Sequence, residues 1–208
     1  MKQTILAGAL ALFSAAGAAQ AVTVTPVSYS MPQGGTGSYA YRDDSYSGTS
    51  SGGILSGGTG DLTDGVIATQ NWFTTPGLYV GWLNRAPTIT WTFDQAYKFN
   101  SMTFWFDDSN GAGAVRPPNA VVLTSAVGGA SYGVPDPASG APFAFTINLS
   151  GYDAMSSFAT RIEPRSQWIM LSEVTFDAEL PVVPLPASAL LLGGALAGLG
   201  ALRRRKRG

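Results

Sequence analysis

The central part of the chain alternates apolar and polar positions in short runs separated by glycine, proline, serine and asparagine. In the run that starts at Thr88, Ile89, Trp91 and Phe93 alternate with three threonines, as expected of a strand with one buried face. Further strands are predicted at 22–29, 99–106, 120–125, 143–149 and 168–176, with a turn at 127–129. No segment between residues 22 and 180 shows a helical period. The pattern predicts an all-β domain, an antiparallel jelly-roll sandwich of short strands joined by turns.

Residues 34–60 break this alternation with a long polar, glycine-rich stretch. The stretch also carries Tyr39, Tyr41 and Tyr46. Large rings among glycines favour an ordered loop rather than a disordered segment, with the tyrosines holding the loop against the sandwich.

The N-terminus has the layout of a secretory signal peptide. A single Lys2 precedes an apolar run, and Ala19-Gln20-Ala21 is a small-x-small cleavage site. Residues 1–21 are therefore predicted to be removed, so that the mature chain begins at Val22. A buried first helix is the alternative.

The C-terminus is predicted to span a membrane. Residues 181–187 are a Pro-rich spacer, 188–202 a transmembrane helix and 203–208 a basic cytoplasmic tail. The uncharged run from Leu185 to Leu202 would be about 27 Å long as a helix, close to a hydrocarbon core of about 30 Å. The five cations after it would stay cytoplasmic, which places the domain before it outside.

The order of these C-terminal features resembles the PEP-CTERM class of sorting signals. The motif is Val183-Pro184-Leu185-Pro186-Ala187, followed by the apolar stretch and the arginine-rich end. The resemblance implies a Gram-negative envelope protein that an exosortase-type enzyme processes. Such proteins are often associated with exopolysaccharide. The protein would be anchored in the inner membrane facing the periplasm, or released to the cell surface or matrix.

Composition excludes several chemistries. The chain has no cysteine and no histidine, which removes disulfides, Cys-His and Ser-His-Asp catalysis and the usual zinc ligands. All thirteen acids but only six bases lie in residues 22–180, giving this domain a formal charge of −7. An acidic domain argues against nucleic acid as a partner, and oxygen ligands suit calcium.

Three segments, taken in order, resemble the discoidin branch of galactose-binding-like domains. They are an early Asp-Gly turn at 62–65 followed by 79–82, a middle pair of strands at 87–106 followed by 118–129, and a closing Ser-Glu-Val strand at 168–174 preceded by 159–162. The resemblance implies an eight-stranded jelly roll whose first and last strands lie close together, with ligand loops at one end. The long leading segment, 22–60, departs from the family pattern.

Two carboxylates match the positions at which such domains often hold a structural calcium. They are Asp64, beside the flexible Gly65, and Glu173 on the closing strand, with Asp61 as an alternative first ligand. The alternative is an ordinary Asx turn at Asp64 and a solvated Glu173. Residues 107–111, Asp-Asp-Ser-Asn-Gly, lack the spacing of a calcium loop and are predicted to form a turn.

Candidate sugar contacts follow the Asp-Gly turn. Aromatic rings stack on the C–H faces of sugars and amides or guanidinium groups bond hydroxyls, which selects Trp72, Tyr79, Asn71 and Arg85. A place in the core is the alternative for each ring.

These features predict an exported, non-catalytic protein that binds carbohydrate, most directly exopolysaccharide. A purely structural surface protein is one alternative, and a glycosidase with paired carboxylates is the other.

Overall fold

The structure is a computed structural model that describes residues 21–179. The strands are β1 (Ala21–Val24), β2 (Ser28–Pro32), β3 (Thr49–Ser51), β4 (Ile54–Gly58), β5 (Val80–Leu83), β6 (Thr88–Phe106), β7 (Ala120–Ser125), β8 (Gly128–Gly133), β9 (Phe143–Asn148), β10 (Met155–Glu163) and β11 (Trp168–Glu179). Two single 3-10 turns, Pro76–Leu78 and Ala112–Ala114, are the only helical segments in this range. The predicted all-β antiparallel sandwich is confirmed.

Strand β6 belongs to both sheets of the sandwich. Its first half pairs with β2 and β10, in a sheet with the order β3-β4-β2-β6-β10-β7-β8. Its second half pairs with β9 on one side and β11 on the other, and β11 pairs in turn with β5 and β1. This sharing holds the two sheets face to face through one continuous strand.

The core lies between the sheets and is rich in aromatic rings. Trp91 packs against Phe176 with ring centroids 5.1 Å apart, and Phe93 against Phe99 at 4.8 Å. The indole N–H of Trp91 donates to Thr160 Oγ1 at 3.0 Å, so its one polar atom is satisfied inside the core. The predicted alternation is confirmed here, because Ile89, Trp91 and Phe93 are all buried.

The structure has more strands than the sequence pattern predicted. The segment predicted as one strand at 22–29 is two, since Pro26 lacks the N–H that would continue a ladder. The glycine-rich stretch contributes β3 and β4, so the described range holds eleven strands where the resemblance implied eight. Gly128 and Gly129, predicted as part of a turn, begin strand β8.

The first and last described strands are neighbours, as the resemblance implied: Val22 of β1 pairs with Ala178 of β11. The predicted signal peptide up to Gln20, the spacer at 181–187, the helix at 188–202 and the tail at 203–208 lie outside the described residues and remain predictions. Within residues 21–179, no helix has the length and apolar character needed to cross a membrane.

Tyrosines hold the leading loop, residues 33–48, against the sandwich, as predicted. The hydroxyl of Tyr46 donates to the carbonyl of Tyr29, and its ring packs edge-on against Tyr29 at 5.2 Å. The hydroxyl of Tyr29 donates to the buried carboxyl of Asp43. The loop therefore has a fixed base, and its tip carries Tyr39 and Tyr41.

Candidate functional site

Loops from distant parts of the chain meet beside the start of β11 and enclose a small cavity of about 110 Å³. We call this cavity and its walls the aromatic cup. Four rings line it, and glycine, valine and methionine complete the lining: Tyr39, Tyr41, Trp72, Trp168, Gly113, Val115 and Met170.

The tryptophan rings of the cup stand nearly at right angles to the tyrosine rings that they contact. Trp168 lies edge-on to Tyr39 and Tyr41, with centroid distances of 5.7 and 5.2 Å. Trp72 lies edge-on to Tyr41 at 5.8 Å, whereas the two tyrosines are parallel at 6.4 Å. Edge-to-face contacts of this kind fix the rings in place and leave the cavity a defined shape.

Glycine permits the tightest contact in the cup. The ring of Trp72 lies against the backbone of Gly113, so a Cβ there would collide with ring atom Cζ2. Gly113 also has φ +59°, a left-handed conformation that side chains disfavour. Val115, two residues further along, forms a parallel β-bridge with Trp168, which joins the β6–β7 loop to the start of β11.

Two large apolar side chains at the cup are open to solvent. The side chain of Tyr39 is 53% exposed and that of Phe73, edge-on to Trp72 at 6.0 Å, is 62% exposed. Exposed aromatic surface beside a formed cavity is the usual anatomy of a small-ligand site.

A buried acid beneath the cup fixes Trp72. Asp107 accepts the backbone N–H of Trp72 at 2.9 Å through Oδ2 and the side-chain amide of Asn71 at 2.6 Å through Oδ1. Burial raises the pKa of Asp107, and these hydrogen bonds partly offset that rise. The predicted turn at 107–111 is present and has this structural role, with Asn110 and Gly111 in the left-handed region.

The predicted sugar contacts have different environments. Asn71 uses its amide within the protein: besides Asp107 it donates to the carbonyl oxygens of Asp108 and Gly140 and to Ser109 Oγ. Tyr79 is 1% exposed and its hydroxyl donates to the carbonyl of Gln70 at 2.7 Å, so its ring faces are covered.

Trp72 lines the cup, and Arg85 is exposed in the loop between β5 and β6. Of the four predicted contacts, the structure therefore brings only Trp72 into the lining of the cup.

The predicted calcium ligands lie elsewhere, at a second cavity of about 200 Å³. Asp64 and Glu173 both line it, together with Thr63 and residues 23–26 at the end of β1 and directly after it. Glu173 is 2% exposed and accepts the N–H of Gly65 at 3.2 Å. Burial, and then the negative charge of Asp64, raise the pKa of Glu173 to about 8.

Several features of this second cavity fit a hard cation. The carboxyl of Glu173 is buried and takes part in no salt bridge within residues 21–179. The hydroxyl of Thr63 is buried and has no hydrogen-bond partner in the same range. Oxygen atoms such as these are the ligands that calcium takes. No group of three or more acidic side chains within residues 21–179 has metal-binding geometry, so an ion here would also need main-chain oxygens or water.

Asp61 does not line this cavity. Its carboxylate accepts the N–H of Asp44 at 3.0 Å and the hydroxyl of Ser45, so it fastens the leading loop.

Reasoning from sequence did not select Tyr39, Tyr41 or Trp168 as site residues. Tyr39-x-Tyr41 in a glycine-rich segment was a usable signal, because large rings are uncommon in such loops. Trp168 gave no such signal, because it begins an apolar strand and was expected in the core. It is only 7% exposed, but it borders the cup.

Comparison with known proteins gives one family and several solved structures. The family model for the discoidin domain-containing receptor 1/2 DS-like domain matches residues 26–178. No curated protein sequence matches the chain.

Three solved structures illustrate the structural similarity. A truncated AlyQ with CBM32 and alginate lyase domains has 8% identity and a TM-score of 0.47, over 80% of this chain and 36% of that one. The CBM32 of AlyQ in complex with 4,5-unsaturated mannuronic acid has 8% identity and a TM-score of 0.45, over 74% and 97% of the two chains. An F5/8 type C domain from Bacteroides fragilis has 7% identity and a TM-score of 0.38, over 58% and 80%.

Proposed function

Since the chain belongs to the DS-like domain family of the discoidin domain-containing receptors 1/2, we propose that it is a non-catalytic module that binds carbohydrate through the aromatic cup. The ligand in this proposal is an exopolysaccharide outside the cytoplasm. The sugar would lie on the exposed faces of Tyr39 and Phe73 and against Trp72.

One observation carries this proposal: exposed rings lie beside a formed cavity, and the half-buried ring of Trp72 in its wall is fixed by the protein. Trp72 is fixed by the buried Asp107 and by its contact with Gly113. A sugar presents C–H groups on one face and hydroxyls at its edge, and a rigid ring contacts that face with little loss of conformational entropy. Such a surface suits binding without any covalent step.

The two alternatives have less support. Asp107 and Asp108 are adjacent carboxylates, but both are fully buried, which keeps a glycosidic bond from reaching them. Glu173 has the raised pKa of a general acid, yet it is buried against the backbone of Gly65. A purely structural protein would have no need of exposed rings around a formed cavity.

The test is binding of the full-length protein to the exopolysaccharide of the cell that produces it, measured by co-sedimentation. Phe73→Ala removes an exposed ring without opening a core cavity, and we expect it to weaken binding about three- to tenfold. The matched control is Val127→Ala, an exposed apolar residue in the β7–β8 turn. Binding by the Phe73 variant equal to that of the control would contradict the proposed site, and absence of binding by all three proteins would contradict the function.

We propose a structural calcium ion at the second cavity, held by Asp64 and Glu173. The ion would supply the positive charge that the buried carboxyl of Glu173 lacks, and would fasten the Asp64 turn to β11. The stability of the purified protein with and without calcium tests this, as set out in the Discussion.

The proposal extends to processing at both ends of the chain. We propose that the signal peptide is removed before Val22 and that the Val183-Pro184-Leu185-Pro186-Ala187 motif is the site at which an exosortase-type enzyme acts. Intact-mass measurement of the protein from cell envelopes and from the surrounding matrix tests this. A mass equal to that of the unprocessed chain in both fractions would contradict it.

A further inference from the structure

The interior of the aromatic cup is too small for a sugar ring. At about 30 Å³ for each water-sized group, its volume of about 110 Å³ holds about four non-hydrogen atoms. A hexose residue has more than twice that number, so a sugar on the exposed rings would leave the interior free. A compact, nearly spherical group, such as a nitrogen that carries three methyl groups, matches the interior in size.

The walls of the cup are mostly aromatic and meet at steep angles. The plane of Trp168 stands at 83° to that of Tyr39 and at 84° to that of Tyr41. The plane of Trp72 stands at 88° to that of Tyr41. A spherical group in the cup therefore contacts ring surface from more than one direction. Aromatic rings attract a cation that lies over their faces within about 6 Å of the centroid, and tryptophan does so most strongly.

The lining discriminates between kinds of cation. It contains no carboxylate and no amide side chain, so a primary ammonium group, whose N–H donors are strongly hydrated, would lose water without gaining enough acceptors. A quaternary ammonium group has no N–H and loses no hydrogen bond when it leaves water. Its methyl groups gain contact with the rings and with the Met170 thioether.

The charge of the domain also favours a cation. Residues 22–180 have a formal charge of −7, and a net negative potential attracts positive ligands. Two arginines adjoin lining residues along the chain, but neither lines the cup. Arg116 is paired with Asp136 at 3.0 Å, and the stem of Arg42 lies beside Gly35. A neutral group of the same shape would gain the apolar contact without this electrostatic attraction.

We propose that the aromatic cup is a binding site for a trimethylammonium group. This inference goes beyond the proposed function, because the cation would occupy the interior whether or not a sugar lies on the ring of Phe73. A choline lipid headgroup, a choline substituent on a glycan and a free trimethylated solute all present the same group. The shared chemistry is a permanent cation covered by methyl groups.

A matched pair of small molecules tests the proposal on the wild-type protein. Choline and dimethylbutanol, the alcohol in which a carbon atom replaces the choline nitrogen, have the same shape and differ in charge. Titration calorimetry uses the full-length protein in a polyoxyethylene detergent, which carries neither a sugar nor a choline group. We expect choline to bind about tenfold more tightly than dimethylbutanol, since several rings attract the charge. Ethanolamine, the unmethylated amine, should also bind more weakly than choline.

A pair of variants tests the location of the site. Tyr39→Leu keeps an apolar side chain and removes one ring of the cup, so the preference for choline over dimethylbutanol should fall about two- to fivefold. The side chain of Tyr39 is 53% exposed, so this change opens no core cavity. Tyr152→Leu makes the same change at a half-buried tyrosine outside the cup and should keep the preference.

The source of the group is tested with the full-length protein in phosphatidylcholine and in phosphatidylglycerol vesicles. Weaker titration of choline in phosphatidylcholine supports the site and identifies a lipid headgroup as a competing ligand. Equal titration in the two vesicles supports the site and identifies a solute or a glycan substituent.

The outcomes also separate this inference from the proposed function. Absence of choline binding, or equal affinity for choline and dimethylbutanol, overturns the cation site even if exopolysaccharide still co-sediments with the protein. An unchanged preference in Tyr39→Leu overturns the cup as its location. Retained preference for choline in a protein that binds no exopolysaccharide supports the cation site and contradicts the proposed function alone.

Discussion

The hydroxyl of Tyr29 donates a hydrogen bond to the carboxyl of Asp43 inside the protein, and this bond joins β2 to the leading loop. Asp43 also accepts the N–H of Asp61 at 2.9 Å, and its own N–H donates to Gln33 Oε1 at 3.0 Å. The loop that carries Tyr39 and Tyr41 is therefore fastened at a buried, fully bonded residue four positions after the ring of Tyr39. The geometry of the cup depends on this attachment.

Asp43→Ala should destabilise the protein by about 1–3 kcal/mol, because the Tyr29 hydroxyl and the Asp61 N–H would remain buried without an acceptor. Urea unfolding followed by tryptophan fluorescence measures this. Asp44→Ala, a change at the neighbouring exposed acid, is the control and should have little effect. Equal midpoints for the two variants would show that the buried bond does not hold the loop.

The calcium-free protein should lose stability between pH 5 and pH 8. Glu173 has a folded-state pKa of about 8 against an ordinary value of 4.5, so the folded state binds its proton more tightly than the unfolded state over this range. Burial also raises the pKa values of Asp43 and Asp107, which adds to the same trend. Melting temperatures in chelator should therefore fall as the pH rises from 5 to 8. Glu173→Gln should flatten the slope, and a melting temperature that rises with pH would contradict this assignment.

Calcium should raise the melting temperature of the wild-type protein at pH 8, where the Glu173 carboxyl most needs a positive charge nearby. A ligand that binds only the folded state at about 100 times its dissociation constant adds about 2.7 kcal/mol. Glu173→Gln should abolish the increase. Asp61→Asn should keep it, because Asp61 lies away from the cavity. A calcium-independent melt in the wild type would contradict the proposed ion.

Gly113→Ala should lower both stability and carbohydrate binding. The new Cβ would force the Trp72 ring away, and the left-handed backbone at this position disfavours alanine by about 1–2 kcal/mol. Gly133→Ala in β8 is a matched control, since nothing lies within 4 Å of a Cβ there. Co-sedimentation with exopolysaccharide and thermal melts of both variants check this. Normal binding by Gly113→Ala would show that the ring position of Trp72 is not required.

The sequence predicted those parts of the fold in which one face of a strand is buried. The alternation of Ile89, Trp91 and Phe93 with threonines has one physical explanation, and the structure confirms it. Strand β5 gave no such pattern because Val80, Gly81 and Trp82 are all buried, so no polar face alternates with an apolar one. The short strands β3 and β4 were not predicted, because their glycine and serine residues favour loops.

The calcium candidates Asp64 and Glu173 came from the family resemblance, which aligned two segments far apart in the chain. Their approach depends on packing between a turn and a strand: the N–H of Val174 donates to the carbonyl of Leu62 at 2.9 Å. Composition and periodicity contain no information about such a contact.

For the aromatic residues of the cup, too, the sequence did not reveal which side chains meet in the fold. Trp72 and Tyr79 were equally plausible from sequence, since both follow the Asp-Gly turn. Tyr79 directly precedes the buried strand β5 and is enclosed with it, whereas Trp72 lies in a loop that the cup leaves partly open. Tyr39, Tyr41 and Trp168 meet Trp72 only through the tertiary fold.

The most direct test of the account is a crystal structure of the protein with an oligosaccharide from the exopolysaccharide. We expect a sugar ring against Phe73 and Tyr39, beside the space bordered by Trp72 and Trp168. A sugar bound on another face of the sandwich, with the cup unaltered and empty, would contradict it.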